Sequence, residues 1–138
     1  MDNANGPLLK VVVVEDDLAI KMLICKVLEH NFQVTAFENG LNALTFLQKG
    51  DLPDIIISDL NTPLLNGYEL LAQLKNSSFF NAIPVIILSG EERSETRIKC
   101  LEAGADDYVL KPFNPRELEA RINVILKRYG KALRARQY

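Results

Sequence analysis

Six polar residues follow short apolar runs: Glu15, Asp16 and Asp17 after LLKVVVV, Asp59 after DIIIS, Ser89 after PVIIL and Lys111 after DDYVL. Singly, each has an ordinary explanation. Asp17 and Ser89 could cap helices, and Lys111 could be a solvated charge. Together they suggest chemistry, because carboxylates brought into one place repel unless a cation stands among them. Oxygen ligands with no histidine or thiol nearby suit Mg²⁺, which tolerates a few carboxylates, a carbonyl and several waters. A divalent cation flanked by a lysine and a hydroxyl suits a phosphoryl group. The metal and the ammonium offset charge on the equatorial oxygens, the hydroxyl donates a hydrogen bond, and a carboxylate attacks in line. Asp59 is the natural nucleophile.

These residues lie far apart in the chain, so the elements between them must fold to bring them together. Strands are expected at 8 to 14, 33 to 37, 54 to 58, 84 to 88 and 106 to 110, rich in β-branched residues and bounded by turn chemistry. Helical spacing follows each of them. Leu18, Met22, Cys25 and Leu28 mark a helix to about His30; Leu41, Leu44, Phe46 and Leu47 supply the buried stripe of one at 39 to 48; YELLAQLK forms the third. The fourth runs from about Glu92 to Glu102 and stops at Gly104, and the fifth starts at Asn114 as cap with Pro115 in its first position. Five strands alternating with five helices call for a parallel sheet covered on both faces, an α/β doubly wound domain. The uniformly apolar stretches 55 to 57 and 85 to 88 fit strands buried on both sides. In such sheets, chemistry gathers outside the carboxyl ends of the strands, which is where the six residues fall.

With 138 residues, 48% hydrophobic and 25% charged, the chain fits one domain that needs neither disulfides nor metals for stability. A net charge of -2 argues against a general electrostatic grip on nucleic acid or anionic lipid. Cys25 and Cys100, with no CxxC and no histidine beside them, read as small buried hydrophobes in a reducing compartment. The N-terminal MDNANGP lacks the regions of a signal peptide, and no apolar run reaches membrane-spanning length, so a soluble cytoplasmic protein is expected.

The motifs VVVVEDD, IIISDLNTPLLNG, VIILSG and AGADDYVLKPF, in this order and at these intervals, resemble the CheY-like receiver domains of two-component response regulators. The resemblance covers about Lys10 to Arg128. It implies a flavodoxin-like (βα)5 domain at 8 to 129 with strand order 2-1-3-4-5, a disordered segment at 1 to 7, and a tail or linker at 130 to 138. By this resemblance Asp59 accepts a phosphoryl group from a sensor histidine kinase or a histidine phosphotransfer protein. Asp16 binds Mg²⁺ directly, Glu15 acts largely through water, and the Asn61 backbone carbonyl completes the set. Ser89 and Lys111 contact the phosphoryl group, with Lys111-Pro112 as a cis peptide, while Asp17 caps the first helix. The resemblance also implies a switch, in which the Ser89 hydroxyl moves inward and the Tyr108 ring follows; Gly90 replaces a common alanine in that loop. Asn61 and Glu91 would tune loss of the phosphoryl group and favour a short-lived state. The protein would catalyse its own phosphorylation and dephosphorylation without being a turnover enzyme.

The segment from Thr96 to Arg128 further resembles the receiver half of winged-helix transcription factors, which implies dimerisation through Arg97, Lys99, Asp106, Asp107, Arg121 and Arg128. Solvated charges explain those residues equally well. Three alternatives stand beside the receiver. A phosphohydrolase with a DxDxT signature is disfavoured by Asn61, which cannot act as general acid and base, and by placement of the nucleophile on the third strand. A flavodoxin-like cofactor binder lacks a phosphate-cradling glycine or Ser/Thr cluster. A pseudo-receiver, a binding module without chemistry, is disfavoured because Asp16, Asp59, Ser89 and Lys111 are all present. The basic tail after Arg128 reads as a solvated face, and as either a linker or the end of a stand-alone regulator.

Overall fold

A computed structural model describes residues 6–135; most of the segment expected to be disordered, and the last three residues of the tail, lie outside it. The order is β1 (Leu9–Val14), α1 (Leu18–Leu28), β2 (Phe32–Phe37), α2 (Gly40–Leu47), β3 (Ile55–Asp59), α3 (Gly67–Lys75), β4 (Val85–Ser89), α4 (Ser94–Glu102), β5 (Asp107–Leu110) and α5 (Pro115–Arg128). The strands form one parallel sheet in the order β2-β1-β3-β4-β5. Its central strands are apolar on both sides because both sides are covered.

Period-two alternation divides the interior into two clusters. Val11, Val13, Ile55, Ile57, Ile86 and Leu88 meet Ile24 and Leu28 of α1 and Leu118, Ile122, Ile125 and Leu126 of α5. Val12, Val14, Ile56, Val85 and Ile87 meet α2, α3 and α4 on the other face. Ile55, Ile56 and Ile57 are fully buried, and each such side chain contributes about 2 kcal/mol through its removal from water. β3 is thereby fixed at the centre of the sheet, and its last residue is Asp59.

The helix starts follow from local polar groups. Asp17 accepts from the Ile20 N–H, Asn39 from that of Asn42, and Asn114 from that of Arg116 with Pro115 next in the chain. Asn66 and Glu69 form a reciprocal capping box at α3. α4 differs from expectation and begins at Ser94 rather than Glu92, because residue 93 is extended (ψ 135°) with its N–H on the Glu91 carboxylate, and no side chain caps the helix. Two helical stripes also differ. α1 buries Ile24 and Leu28, leaving Leu18 at 63% and Met22 at 62% exposure, with Cys25 only half-buried. α2 buries Ala43 and Leu47 and leaves Leu41 exposed.

After α5 the chain is not helical over 131 to 135 and lies against the domain. Lys131 pairs with Asp54 at 3.0 Å, and Leu133 packs on the cluster beneath α1 and α5. The Tyr129 hydroxyl donates to Asp106 Oδ1 at 2.6 Å, while Asp106 Oδ2 accepts the Val85 N–H. Burial, then the bond to Asp106, pushes the Tyr129 phenol from 10 to about 12. Its folded value is raised, so its contribution to stability is complete below pH 10 and disappears between pH 10 and about 12. Ultraviolet titration should find this phenol near 12, and Asp106→Asn should return it toward 10.

Candidate functional site

The carboxyl ends of β1, β3, β4 and β5 meet at one edge of the sheet. β1 delivers Glu15, whose N–H continues the ladder to the Phe37 carbonyl at 2.9 Å. Glu15 is 1% exposed, although a carboxylate is rarely that buried without a partner. Its partners are the Lys111 ammonium, 2.9 Å from Oε1, and the Asp17 N–H, 3.1 Å from Oε2. The same ammonium lies 2.8 Å from Asp59 Oδ1, and Asp59 is 6% exposed. Lys111 is itself anchored by its N–H to the Ser89 carbonyl at 2.8 Å, just before a cis Lys111-Pro112 bond.

One cation therefore bridges two buried carboxylates. Burial raises the Glu15 carboxyl above its ordinary value even though Lys111 and the Asp17 N–H pull it down. Burial also pulls the Lys111 ammonium down, but the hydrogen bonds to Asp59 and Glu15 outweigh it and leave it raised. Asp16 is exposed, and one oxygen each from Glu15, Asp16 and Asp59 lies within 4.8 Å of the others. Three negative charges against one positive leave the cluster short of cation, and hard oxygen donors at this spacing fit a divalent ion such as Mg²⁺.

The turn after Asp59 is tightly built. Leu60 donates to the Leu88 carbonyl, Thr62 Oγ1 to the Leu65 carbonyl, and Leu64 takes a positive φ of 67°. Gly67 opens α3 directly against Asp59, where an added Cβ would stand 2.5 Å from the Asp59 carbonyl oxygen; only glycine permits that approach. Asn61 is exposed at the head of this turn.

The Ser89 hydroxyl is fully buried and accepts the Glu91 N–H at 2.9 Å. Tyr108, 8% exposed, lies with its ring in the cluster beneath α2, α3 and α4 and donates from its hydroxyl to the Glu91 carbonyl at 2.8 Å. The two residues expected to move together are thus tied to one residue between them. Gly90 is exposed with open space around it, so nothing there requires glycine.

The charged residues expected on a shared face are only partly brought together. Asp106, Asp107, Arg121 and Arg128 line one groove, where Arg121 pairs with Asp107 at 3.0 Å. Lys99 is not in it; its ammonium stands 4.1 Å from the centre of the Tyr68 ring, in the groove between α3 and α4. Sequence reasoning passed over Arg93, signalled only by an acid two residues before it.

A family model described as the response regulator receiver domain matches residues 11–123. The phosphate regulon transcriptional regulatory protein PhoB of Escherichia coli (strain K12) is 39% identical over 120 residues, covering 86% of this chain and 52% of its own. The regulatory protein VanRc of Enterococcus gallinarum is 37% identical over 121 residues, covering 87% and 51%. The chain spans about half the length of these curated relatives. Among solved structures, the receiver domain of the Francisella response regulator 1452 is similar with a TM-score of 0.80 and 38% identity, over 89% of this chain and 98% of that one. A putative response regulator from Chloroflexus aurantiacus gives a TM-score of 0.82 and 31% identity, over 88% and 99%.

Proposed function

Since the chain belongs to the response regulator receiver domain family, a family of signalling proteins rather than turnover enzymes, we propose that it is switched by a phosphoryl group carried on Asp59. The observation that supports this most directly is the Lys111 ammonium bridging Asp59 and Glu15 beside an exposed third carboxylate. An Asp59 oxygen attacks the phosphorus of a phosphohistidine on a sensor kinase or phosphotransfer protein. The oxygen–phosphorus bond forms as the phosphorus–nitrogen bond breaks, and the electron pair returns to the imidazole. Lys111 offsets charge on the phosphoryl oxygens, and Ser89 leaves the Glu91 N–H to donate its hydroxyl to one of them.

Glu15, Asp16, Asp59 and the Asn61 carbonyl are the residues that would hold Mg²⁺, which when bound supplies charge neutralisation for the transferred group. Leu18, which follows Asp17, and Leu64, in the turn after Asp59, are exposed apolar residues suited to docking the phosphohistidine donor. Movement of Ser89 releases Glu91 and with it Tyr108, which changes the surface of α4, β5 and α5; the Asp107 and Arg121 pair would then be free to exchange across a homodimer. Asn61 and Glu91 support a phosphoryl group that is lost quickly. We place this action in the cytoplasm, without direct contact of this domain to nucleic acid or membrane; among the described residues no helix is long and apolar enough to cross a membrane.

The test is mass spectrometry after incubation with acetyl phosphate and Mg²⁺, with sizing before and after. One phosphoryl adduct on the peptide containing Asp59 is the expected result. Absence of any adduct, or an adduct elsewhere, refutes the assignment, and an unchanged size refutes the dimer alone.

A further inference from the structure

Every polar group of Glu91 is engaged. Its N–H donates to Ser89, its carbonyl accepts from Tyr108, and its carboxylate is taken by Arg93. Oε1 accepts both the Arg93 backbone N–H at 3.0 Å and Nε at 2.9 Å, while Oε2 accepts Nη2 at 3.1 Å. The guanidinium fork thus fixes the carboxylate in orientation as well as in charge. The Arg93 side chain is 74% exposed, so this grip is made in water and released cheaply.

A free carboxylate two residues beyond Ser89 has a chemical use once Asp59 is phosphorylated. In hydrolysis the water oxygen bonds to phosphorus, the bond from phosphorus to the Asp59 oxygen breaks, and its electron pair returns to the carboxylate. The water's proton must leave, and a nearby carboxylate can accept it and pass it to solvent. With both oxygens taken by Arg93, the Glu91 carboxylate is not free to do so.

We propose that Arg93 is a positioning residue that withholds the Glu91 carboxylate from the hydrolytic water and so lengthens the life of the phosphoryl group. This rests on phosphorylation at Asp59. It adds a brake, absent from the composition of the site itself, to a state that Asn61 and Glu91 otherwise make brief.

The protein is phosphorylated with acetyl phosphate, desalted, and followed by loss of the adduct. Arg93→Ala should shorten the half-life about two- to fivefold, the range that an exposed ion pair commands, and Arg93→Lys, which keeps the charge but not the fork, should fall between. In a Glu91→Gln background, Arg93→Ala should change nothing further. An independent reading comes from carbon-detected titration of the unphosphorylated protein. The Glu91 carboxyl is held below its ordinary value by the side-chain and then the backbone bond to Arg93, and Arg93→Ala should let it rise. An unchanged or longer half-life, or equal shortening with and without Glu91→Gln, overturns the role of Arg93. A parent protein that takes up no phosphoryl group instead overturns the Asp59 assignment, and the two failures are told apart in the first measurement.

Discussion

Asp59→Asn is expected to take up no phosphoryl group and yet to unfold at a slightly higher denaturant concentration than the parent. The loss of chemistry is complete because an amide offers no nucleophilic carboxylate oxygen at the edge of β3. The gain in stability follows from the crowding of charge. At an effective dielectric of about 20, two repulsions across 4.8 Å amount to about 7 kcal/mol before solvent screens the exposed Asp16, against about 6 kcal/mol for the attraction to Lys111 at 2.8 Å. These nearly cancel. Burial decides the sign, since Asp59 is 6% exposed and an amide avoids the desolvation of a buried carboxylate. A gain of about 1 kcal/mol is expected by urea unfolding without Mg²⁺, where repulsion is strongest. Retention of the adduct would remove Asp59 from the chemistry, and a clear loss of stability would mean that the Lys111 contact dominates.

The opposite change, Lys111→Met, should be costly in both respects. Glu15 and Asp59 would remain buried without their shared cation, a situation that costs about 3 to 5 kcal/mol when burial is complete. The Lys111 side chain is 20% exposed and the Glu15 carboxyl, already raised by burial, can take up a proton, so about 2 kcal/mol at pH 7 is expected. The pH dependence identifies the cause. Burial already raises the Glu15 carboxyl, and removing the lysine raises it further. A carboxyl raised in the folded state binds its proton more readily there than in the unfolded chain, so folding is favoured as pH falls toward the unfolded value. The deficit of Lys111→Met should therefore shrink between pH 7 and pH 5. A deficit independent of pH would point to lost packing of the lysine stem. Phosphorylation by acetyl phosphate should slow about a hundredfold, the usual effect of removing one preorganised charge from a reacting site.

Much of this architecture was legible in the residues because parallel strands covered on both faces carry continuous apolar runs, and their ends are abrupt. VVVVEDD and IIISD mark both the strand and the residue it delivers. Caps were legible for the same reason, since Asp17, and Asn114 with Pro115, act within three residues of themselves. The helical stripes were less so. LAIKMLICKVL offers apolar residues all round, and its periodicity does not say which side meets the sheet; Ile24 and Leu28 do, and Leu18 and Met22 turn outward. The start of α4 was misplaced because the Glu91 carboxylate draws the Arg93 N–H into an extended turn that no helical pattern encodes. Lys99 belonged to a different groove because its partner, Tyr68, comes from another helix.

The weak hold on α4 gives the domain its leverage. α4 has no side-chain cap and one buried side chain, Cys100, while α3 has a reciprocal cap and four buried residues. A second arrangement of a helix held so lightly would cost little, and about 1.4 kcal/mol changes a ratio of two states tenfold. One hydrogen bond from Ser89 to a charged group is worth about that much. If Asp59 carries the phosphoryl group as proposed, that covalent event at the buried centre of the sheet would redistribute the population at its margin.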